Sequence, residues 1–317
     1  SRKVVLLGNI KNVNPLKAFF TENPDYGYRL MNIFTLENHK KEKIEECLSF
    51  VFDHGIDEIY CSMADLSESQ IADIIDFADN NLKTLKFIPD QKQILSLNAK
   101  YEYYDYIPVI SLRNILQDET INKIIKRIFD IVFSAIVIVF IMSWLTPILA
   151  LIIKLESKGP VFFIQKRNGL NYKEFNCYKF RSMYVNDRAD LELVSKNDVR
   201  ITKVGKFIRK TSIDELPQFF NVFMGEMSVV GPRPHMVSVA NLYAAKVDKF
   251  MVRHFVKPGI TGLAQTKGYR GEVETEADII NRVKYDIFYM ENWSILLDIE
   301  IIFKTIYHIL KGDEKAF

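Results

Sequence analysis

The sequence predicts a small doubly wound α/β domain followed by an α+β domain that is attached to a membrane. Short apolar runs alternate with amphipathic stretches over residues 3–110, which is typical of a sheet with helices on its faces. A run of 23 uncharged residues extends from Ile131 to Ile153, and strand and helix patterns resume after it. We therefore place the first domain at 1–112, a linker at 113–122 and the second domain at 123–317, with a membrane helix at about 124–157.

Strands and helices alternate along the first domain. The predicted strands are the apolar runs Val4–Leu7, Arg29–Phe34, Glu58–Ser62 and Thr84–Ile88, and the predicted helices cover about 40–54 and 67–81. The turn at residues 8–13 contains one glycine, Gly8, whereas the dinucleotide-binding fingerprint needs three. Nucleotide binding is therefore disfavoured in this domain, and a regulatory, packing or dimerising role is favoured.

The composition is that of an ordinary globular protein, but charge is segregated along the chain. The 317 residues are 48% hydrophobic and 26% charged, with a net charge of +2. Residues 1–119 carry 13 basic and 19 acidic side chains, whereas residues 120–211 carry 17 and 7, so the middle third is strongly basic. Such a block attracts phosphates, anionic lipid headgroups or nucleic acid.

The three cysteines lack metal-binding spacing and indicate a reducing compartment. The first residues resemble the start of a fragment of a longer chain.

The uncharged run is long enough to cross a bilayer core, which needs roughly 20 residues. Pro147 follows Thr146 inside this run, and a proline removes a backbone hydrogen bond and kinks or breaks a helix. Both flanks of the run are basic, whereas the positive-inside rule places such charges on the cytoplasmic side. We therefore predict a re-entrant helix that breaks at Thr146 and Pro147, with the freed carbonyls accepting hydrogen bonds from Ser143, Thr146 or neighbouring parts of the protein. A simple span and a buried core helix are the alternatives.

A β-hairpin is predicted after the membrane segment. The apolar stretches Val161–Phe163 and Phe175–Phe180 flank a turn at Asn168–Gly169. Lys179 and Arg181 are two residues apart, so in an extended strand they point to the same face and place two cations together. They are candidate substrate-binding residues, and the alternative is a solvated edge strand protected by its charges.

An adjacent pair of carboxylates, Asp214 and Glu215, is the most informative feature of the chain. Arg209 precedes the pair, and Arg233 follows it within Gly-Pro-Arg-Pro at 231–234. One carboxylate of such a pair can attack phosphorus or hold a metal ion, while arginines neutralise phosphoryl oxygens. We therefore expect these four residues to form an active site for phosphate chemistry.

Helix capping is the alternative explanation of the two acids, because Ser212 and Glu215 fit a capping box. Pro217 argues against that register, since it would then remove a hydrogen bond inside the helix. With Asp214 as the N-cap, Pro217 takes a position whose nitrogen has no partner within the helix. We therefore predict a helix that begins at Asp214 and runs to Phe223.

Four dense motifs follow the uncharged run in order. They are Lys-Phe-Arg-Ser-Met at 179–183, Arg-Lys-Thr-Ser-Ile-Asp-Glu-Leu-Pro-Gln at 209–218, Met-Ser-Val-Val-Gly-Pro-Arg-Pro at 227–234 and Lys-Pro-Gly-Ile-Thr-Gly-Leu-Ala-Gln at 257–265. On these motifs, residues 120–317 resemble the monotopic bacterial sugar transferase family of polyprenyl-phosphate phosphoglycosyltransferases. Residues 1–110 are similar to the Rossmann-like (CoA-binding-like) accessory domain of the large members, which also carry a four-helix transmembrane bundle.

The resemblance implies a two-step reaction. Asp214 would attack the β-phosphate of a UDP-sugar, UMP would leave, and undecaprenyl phosphate would then take the sugar phosphate from the aspartyl intermediate. Glu215 would assist as a metal ligand or proton acceptor. Mg²⁺ held by these two carboxylates would screen the diphosphate, and Arg209 and Arg233 would grip phosphoryl oxygens.

Other residues receive weaker assignments from the resemblance. Lys179 and Arg181 would contact the diphosphate or the lipid headgroup, and Asp286 and Asp298 are candidate structural or metal carboxylates. No motif separates glucose, galactose or an N-acetylated sugar, and specificity is expected in variable loops such as 268–277.

The resemblance also implies a setting. The protein would act at the cytoplasmic face of the bacterial inner membrane, as a homodimer, and would start a surface glycan such as exopolysaccharide, lipopolysaccharide O-antigen or capsule. A catalytically idle regulatory or scaffold protein docked on the membrane is the alternative. A nucleic-acid binder is motivated only by the basic charge, so no nucleic-acid partner is expected.

Overall fold

The chain divides into two compact units, Ser1–Asn114 and Ile115–Phe317, and the first residues of the second unit fall in the predicted linker. The computed structural model describes residues 2–36, 40–89, 100–104, 107–111, 115–185, 198–269 and 275–311.

The described strands of the first unit form one mixed sheet. They are β1 (Arg2–Gly8), β2 (Tyr28–Thr35), β3 (Glu58–Ser62), β4 (Thr84–Ile88), β5 (Lys100–Tyr104) and β6 (Ile107–Ser111), and the helices between them are α1 (Ile10–Glu22), α2 (Lys40–Asp53) and α3 (Glu68–Asn80). The sheet order is β2-β1-β3-β4-β6-β5. The first four strands are parallel to one another, β6 pairs antiparallel with β4, and β5 pairs antiparallel with β6. The predicted strands and helices are confirmed, whereas α1, β5 and β6 were not predicted.

Both faces of this sheet are covered by helices. Successive side chains of a strand point to opposite faces. Val5 and Leu7 pack in one apolar cluster with residues of α2 and α3, whereas Val4 and Leu6 pack in another with residues of α1. This arrangement explains why β1 is apolar throughout, as expected of a parallel strand that is buried on both sides.

An acidic side chain from the turn after β3, Asp65, lies at the N-terminus of α1, where a nucleotide phosphate would bind. Asn9 caps α1, and its backbone N–H donates to the Asp65 carboxylate at 2.7 Å, while the Asn12 amide donates to the same oxygen at 3.0 Å. A helix N-terminus attracts anions, and here that position is taken by the protein's own carboxylate. The Asp65 carboxylate would repel a phosphate at this turn, and the lack of a nucleotide role stays a prediction.

A long helix opens the second unit. It consists of α4 (Thr120–Val137), a π-helical turn at Ile138–Met142 and α5 (Ser143–Glu156). Among the described residues it is the one helix long and apolar enough to cross a membrane. Only 22% of its most apolar 18-residue stretch is buried inside the protein. These properties support membrane association of the chain.

The irregular part of this helix lies one turn before the predicted break. Thr146 and Pro147 lie inside α5, where the backbone is α-helical, whereas the departure from α-helical hydrogen bonding is the π-turn at Ile138–Met142. The Ser143 hydroxyl donates to the Val139 carbonyl at 2.6 Å, and the Trp144 indole donates to the Phe140 carbonyl at 2.8 Å. Side chains therefore bond carbonyls of the π-turn, and the re-entrant path itself stays a prediction.

The remaining elements of the second unit are short strands and helices. They are β7 (Phe162–Asn168), β8 (Glu174–Phe180), α6 (Lys203–Lys210), α7 (Gln218–Met224), β9 (Ser228–Val230), α8 (Val237–Lys246), β10 (Gly259–Thr261), α9 (Leu263–Thr266), α10 (Glu276–Glu291) and α11 (Ile295–Lys311). Strands β7 and β8 pair antiparallel, which confirms the predicted hairpin, and β9 pairs parallel to β10.

A buried polar cluster fixes the membrane helix to the rest of this unit. The Lys126 ammonium lies 2.7 Å from the Asp298 carboxylate of α11. Asp298 is fully buried and also accepts hydrogen bonds from Tyr289 at 2.7 Å and from Trp293 at 3.2 Å. Asp298 is therefore a structural carboxylate, one of the two roles predicted for it.

Candidate active site

Asp214 and Glu215 lie in a tight turn between two helices. Helix α6 ends at Lys210, and Ser212 then adopts a left-handed backbone conformation with φ of 57°. A single 3₁₀ turn, Ile213–Glu215, carries both acids, and α7 begins at Gln218. The prediction that Asp214 caps a helix is therefore wrong. The left-handed Ser212 and the missing N–H of Pro217 favour a separate short turn, and α7 starts only after the proline.

Glu215 is held by two cations. Its Oε1 atom lies 2.8 Å from the Lys179 ammonium and 2.7 Å from Nη2 of Arg233, and Nη1 of Arg233 donates to Oε2 at 3.4 Å. Lys179 comes from β8 and Arg233 from the segment after β9, so two separate motifs meet at one carboxylate. Such charge-assisted contacts fix the orientation of the guanidinium and ammonium groups.

The two acids differ in proton affinity, although both are more than 90% buried. Burial raises the pKa of the Asp214 carboxyl and the charge of Glu215 adds to this, while Lys179 and the two arginines oppose it. Burial alone would also raise the pKa of Glu215, but Arg233 and Lys179 hold it well below its usual range. Glu215 is therefore a fixed anion, and Asp214 is the more basic and more nucleophilic carboxylate.

Arg209 and Arg181 have different positions relative to this pair. Arg209 lies in the last turn of α6, and its charge lowers the pKa of Asp214. Arg181 lies beyond the end of β8 and donates to the carbonyls of Lys158 at 2.6 Å and Ser157 at 2.7 Å, which follow the membrane helix. We call Asp214 and Glu215 the dyad. The structure thus brings Lys179, Arg209 and Arg233 to the dyad and places Arg181 at the end of the membrane helix. Its role in substrate binding stays a prediction.

Backbone contacts hold the segment 231–234 against β10. Gly231 N–H donates to the Thr261 carbonyl at 2.8 Å, and Gly259 N–H donates to the Pro232 carbonyl at 2.9 Å. A Cβ atom on Gly259 would lie 2.1 Å from the Gly231 nitrogen, so only glycine permits this approach. This contact explains why Lys-Pro-Gly-Ile-Thr-Gly accompanies Gly-Pro-Arg-Pro in the sequence.

Comparison with known proteins decides the family. The family model for bacterial sugar transferases matches residues 121–312. The chain belongs to the bacterial sugar transferase family. Its enzyme class is that of the polyprenyl-phosphate phosphoglycosyltransferases, which confirms the resemblance found in the motifs.

Two of the curated relatives match this transferase over nearly its whole length, and a third matches 61% of it. The UDP-glucose:undecaprenyl-phosphate glucose-1-phosphate transferase of Klebsiella pneumoniae is 38% identical over 315 residues, covering 96% of this chain and 67% of that protein. The protein of the same name from Xanthomonas campestris pv. campestris is 32% identical over 329 residues, covering 100% and 68%. The UDP-N-acetylgalactosamine-undecaprenyl-phosphate N-acetylgalactosaminephosphotransferase of Aeromonas hydrophila is 43% identical over 194 residues, covering 61% and 45%. The chain spans about two thirds of the length of the first two relatives.

The transferase site fits a magnesium ion only together with a phosphorylated substrate. Among the described residues, no group of three or more His, Cys, Asp or Glu side chains could hold a metal ion. Mg²⁺ is usually bound by one or two carboxylates plus substrate phosphates, and Asp214 and Glu215 supply two carboxylates. A diphosphate would have to supply the remaining oxygens, and Glu215 is already paired with Lys179 and Arg233, so the metal role of both residues stays a prediction.

Sequence reasoning missed two residues that support the transferase site. Asn221 of α7 is fully buried, accepts the backbone N–H of Tyr178 at 3.1 Å and donates to the Asn176 carbonyl at 2.6 Å, which fixes β8 and hence Lys179. Arg253 donates to the Arg233 carbonyl at 2.8 Å. Neither residue lies in a local pattern that predicts such contacts, because each partner is distant in the sequence.

Proposed function

We propose that this enzyme transfers a sugar 1-phosphate from a UDP-sugar to undecaprenyl phosphate through a covalent intermediate on Asp214. The observation that carries the proposal is the asymmetry of the dyad. Asp214 is buried and more basic than an ordinary aspartate, while its neighbour Glu215 is held as an anion by Lys179 and Arg233. A nucleophile beside a preorganised set of cations is the arrangement that phosphoryl transfer requires.

In the first step, an oxygen of ionised Asp214 forms a bond to the β-phosphorus of the UDP-sugar. The bond from that phosphorus to the bridging oxygen breaks, and UMP leaves with the electron pair. In the second step, a phosphate oxygen of undecaprenyl phosphate attacks the same phosphorus and the Asp214 carboxylate leaves. The product is undecaprenyl diphosphate carrying the sugar, and the nucleophile is regenerated without an external acid or base.

The cations near the dyad supply the electrostatic part of this chemistry. An anionic carboxylate attacks an anionic phosphoryl group only if local positive charge offsets the repulsion. Arg233 and Lys179 are directed at the dyad by Glu215, and Arg209 lies near Asp214. We assign them to the phosphoryl oxygens of the donor. Mg²⁺, when bound by the dyad and the diphosphate, would neutralise further negative charge there.

The membrane helix supports a reaction between a water-soluble donor and a lipid acceptor. The long helix exposes apolar side chains along its length, and both of its flanks are basic. We propose that it re-enters the cytoplasmic leaflet of the bacterial inner membrane and holds the dyad at the lipid surface, in a homodimer that starts an exopolysaccharide, O-antigen or capsule.

Labelling of single cysteines tests the re-entrant path. The native cysteines, Cys47, Cys61 and Cys177, are buried, so cysteines introduced near Lys123 and Lys158 would be labelled selectively. A re-entrant helix predicts that a membrane-impermeant reagent labels both positions from the same side. Labelling from opposite sides would establish a simple span instead.

The reaction is tested by UMP release and by mass spectrometry of the trapped enzyme. UDP-glucose is the first donor to test, because relatives that match nearly the whole chain are named glucose-1-phosphate transferases. We expect the peptide that contains Asp214 to gain the mass of a hexose phosphate when the acceptor is withheld. Asp214→Asn should release no UMP, whereas Asp248→Asn, on the exposed surface, should act like the wild type. Product formation without the modified peptide would refute the covalent step.

A further inference from the structure

The segment 231–234 is held by contacts from several elements, and two of these come from the side chains of Arg167 and Arg253. Nη1 of Arg167 donates to the Pro234 carbonyl at 2.7 Å. Nη2 of Arg253 donates to the Arg233 carbonyl at 2.8 Å. The second contact acts on the residue whose side chain reaches Glu215, so the position of that side chain depends on Arg253.

Arg253 is an unusual residue to find at this depth. Its exposed fraction is 3%, and its Nη2 atom forms an ion pair with Oδ2 of Asp286 on α10 at 2.8 Å, where Asp286 is 2% exposed. A buried ion pair is a weak source of stability, because desolvation offsets its attraction and an apolar pair of similar size is often as stable. Stability therefore does not explain the pair, whereas the need for a strong donor to the Arg233 carbonyl does.

The contacts form one continuous chain from α10 to the dyad. Asp286 is paired with Arg253, Arg253 donates to the backbone of Arg233, and the Arg233 guanidinium lies 2.7 Å from Glu215. Guanidinium groups have fixed planar geometry, so the position of one end constrains the other. An Arg233 backbone that shifted would carry its side chain away from the position set by Glu215.

We propose that Arg253, held in place by Asp286, is a positioning residue that sets the Arg233 guanidinium for the transferred phosphoryl group. This inference rests on the proposed role of Arg233 at the dyad. Arg253 acts through the backbone of Arg233 and does not itself contact the substrate.

A double-mutant cycle in the UMP-release assay tests the proposal. Arg253→Met, Arg233→Met and the double variant are compared with the wild type. Displacing a catalytic group by about 1 Å can lower the rate about 100-fold, and we expect a loss of this order in Arg253→Met. Because both residues act through one guanidinium, the double variant should be slower than Arg233→Met by no more than about twofold. Losses that multiply in the double variant would overturn the proposal.

Arg127→Met is the matched control for this cycle. Arg127 also donates both terminal nitrogens to backbone carbonyls, those of Val222 and Phe223, each at 2.7 Å, but it does not hold the 231–234 segment. Its effect should therefore multiply with that of Arg233→Met. Coupling of Arg127 as strong as that of Arg253 would indicate a general loss of packing and would also overturn the proposal.

Two further variants keep the test decisive if Arg253→Met does not fold. Arg253→Lys retains a positive donor that can reach one of the two acceptors, so it should recover part of the activity and should show the same coupling. Asp286→Asn should lose less than Arg253→Met, because the donor to the Arg233 carbonyl remains. If Arg233→Met itself were fully active, Arg233 would have no role at the dyad and the positioning role of Arg253 would be overturned with it, whereas the covalent step on Asp214 is tested separately by the mass of the trapped peptide.

Discussion

The raised pKa of the Asp286 carboxyl predicts how the stability of the second unit changes with pH. Burial raises the pKa of Asp286 from its ordinary value of 3.8 to about 6, although Arg253 and Arg282 oppose this rise. The folded protein therefore binds this proton more tightly than the unfolded chain does. Stability from this group is gained as the pH falls through 6 towards 4, and it is lost as the pH rises through the same window.

The magnitude follows from the two pKa values. At about 1.4 kcal/mol for each pH unit between 3.8 and about 6, the full contribution is roughly 3 kcal/mol, of which more than 2 kcal/mol is present by pH 4. Asp286→Asn cannot bind the proton, so this dependence disappears in the variant. Relative to Asp286→Asn, the wild type should therefore be about 2 to 3 kcal/mol more stable at pH 4 than at pH 7.

Tryptophan fluorescence reports on the unfolding of the second unit, which contains Asp286. The two tryptophans, Trp144 and Trp293, both belong to the second unit, and Trp293 is buried. Guanidinium unfolding of both proteins in a mild detergent, at a series of pH values from 4 to 7, gives the difference in unfolding free energy at each pH. A difference that stays within about 0.5 kcal/mol over this range, or that changes with the opposite sign, would refute the reasoning.

Further predictions concern the dyad and the polar cluster. Glu215→Gln should lower the rate of UMP release by about 100-fold or more, because Arg233 and Lys179 lose the anion that orients them. Since Asp214 must be ionised to attack and burial raises its pKa, a pH–rate profile should show the wild-type rate falling, as the pH decreases, at a higher pH than an ordinary aspartate would give. Chelation of Mg²⁺ should abolish UMP release, and added Mg²⁺ should restore it. Lys126→Met leaves the buried Asp298 charge unpaired and should lower the unfolding free energy, followed by tryptophan fluorescence, by about 3–5 kcal/mol.

Most of the first unit could be predicted from local patterns. The bounds of β3 and β4 agree with the sequence, because alternating apolar runs bounded by polar residues are sufficient to define buried parallel strands. Helix α1 was missed although Val13, Leu16 and Phe20 are buried at helical spacing, since Pro15 interrupts the pattern. The antiparallel strands β5 and β6 carry mixed polar residues and have no comparable signal.

The candidate site was predictable in its residues but not in its geometry. Dense motifs predicted Asp214, Glu215 and Arg233 as site residues, and the structure brings these three together. Sequence spacing did not show that the acids occupy a 3₁₀ turn, nor that the Arg181 guanidinium contacts the carbonyls of Ser157 and Lys158. Those features depend on tertiary contacts, which no local pattern encodes.

Polar contacts fix the long apolar helix to β9, the strand that leads into the segment carrying Arg233. Asp130 of α4 accepts hydrogen bonds from the Ser228 hydroxyl and the Val229 N–H, both at 3.0 Å, and β9 leads directly into the segment that carries Arg233. A slide of the helix by one turn, about 5.4 Å, would leave Asp130 buried without Ser228 and Val229. It would also separate Lys126 from Asp298, and the two losses together would cost several kcal/mol. Apolar side chains alone would permit such a slide, because lipid and apolar protein surfaces are nearly equivalent as environments. Asp130 therefore ties the position of the helix to that of β9, and we expect a shift of the helix to reach the segment that carries Arg233 through the three residues of β9.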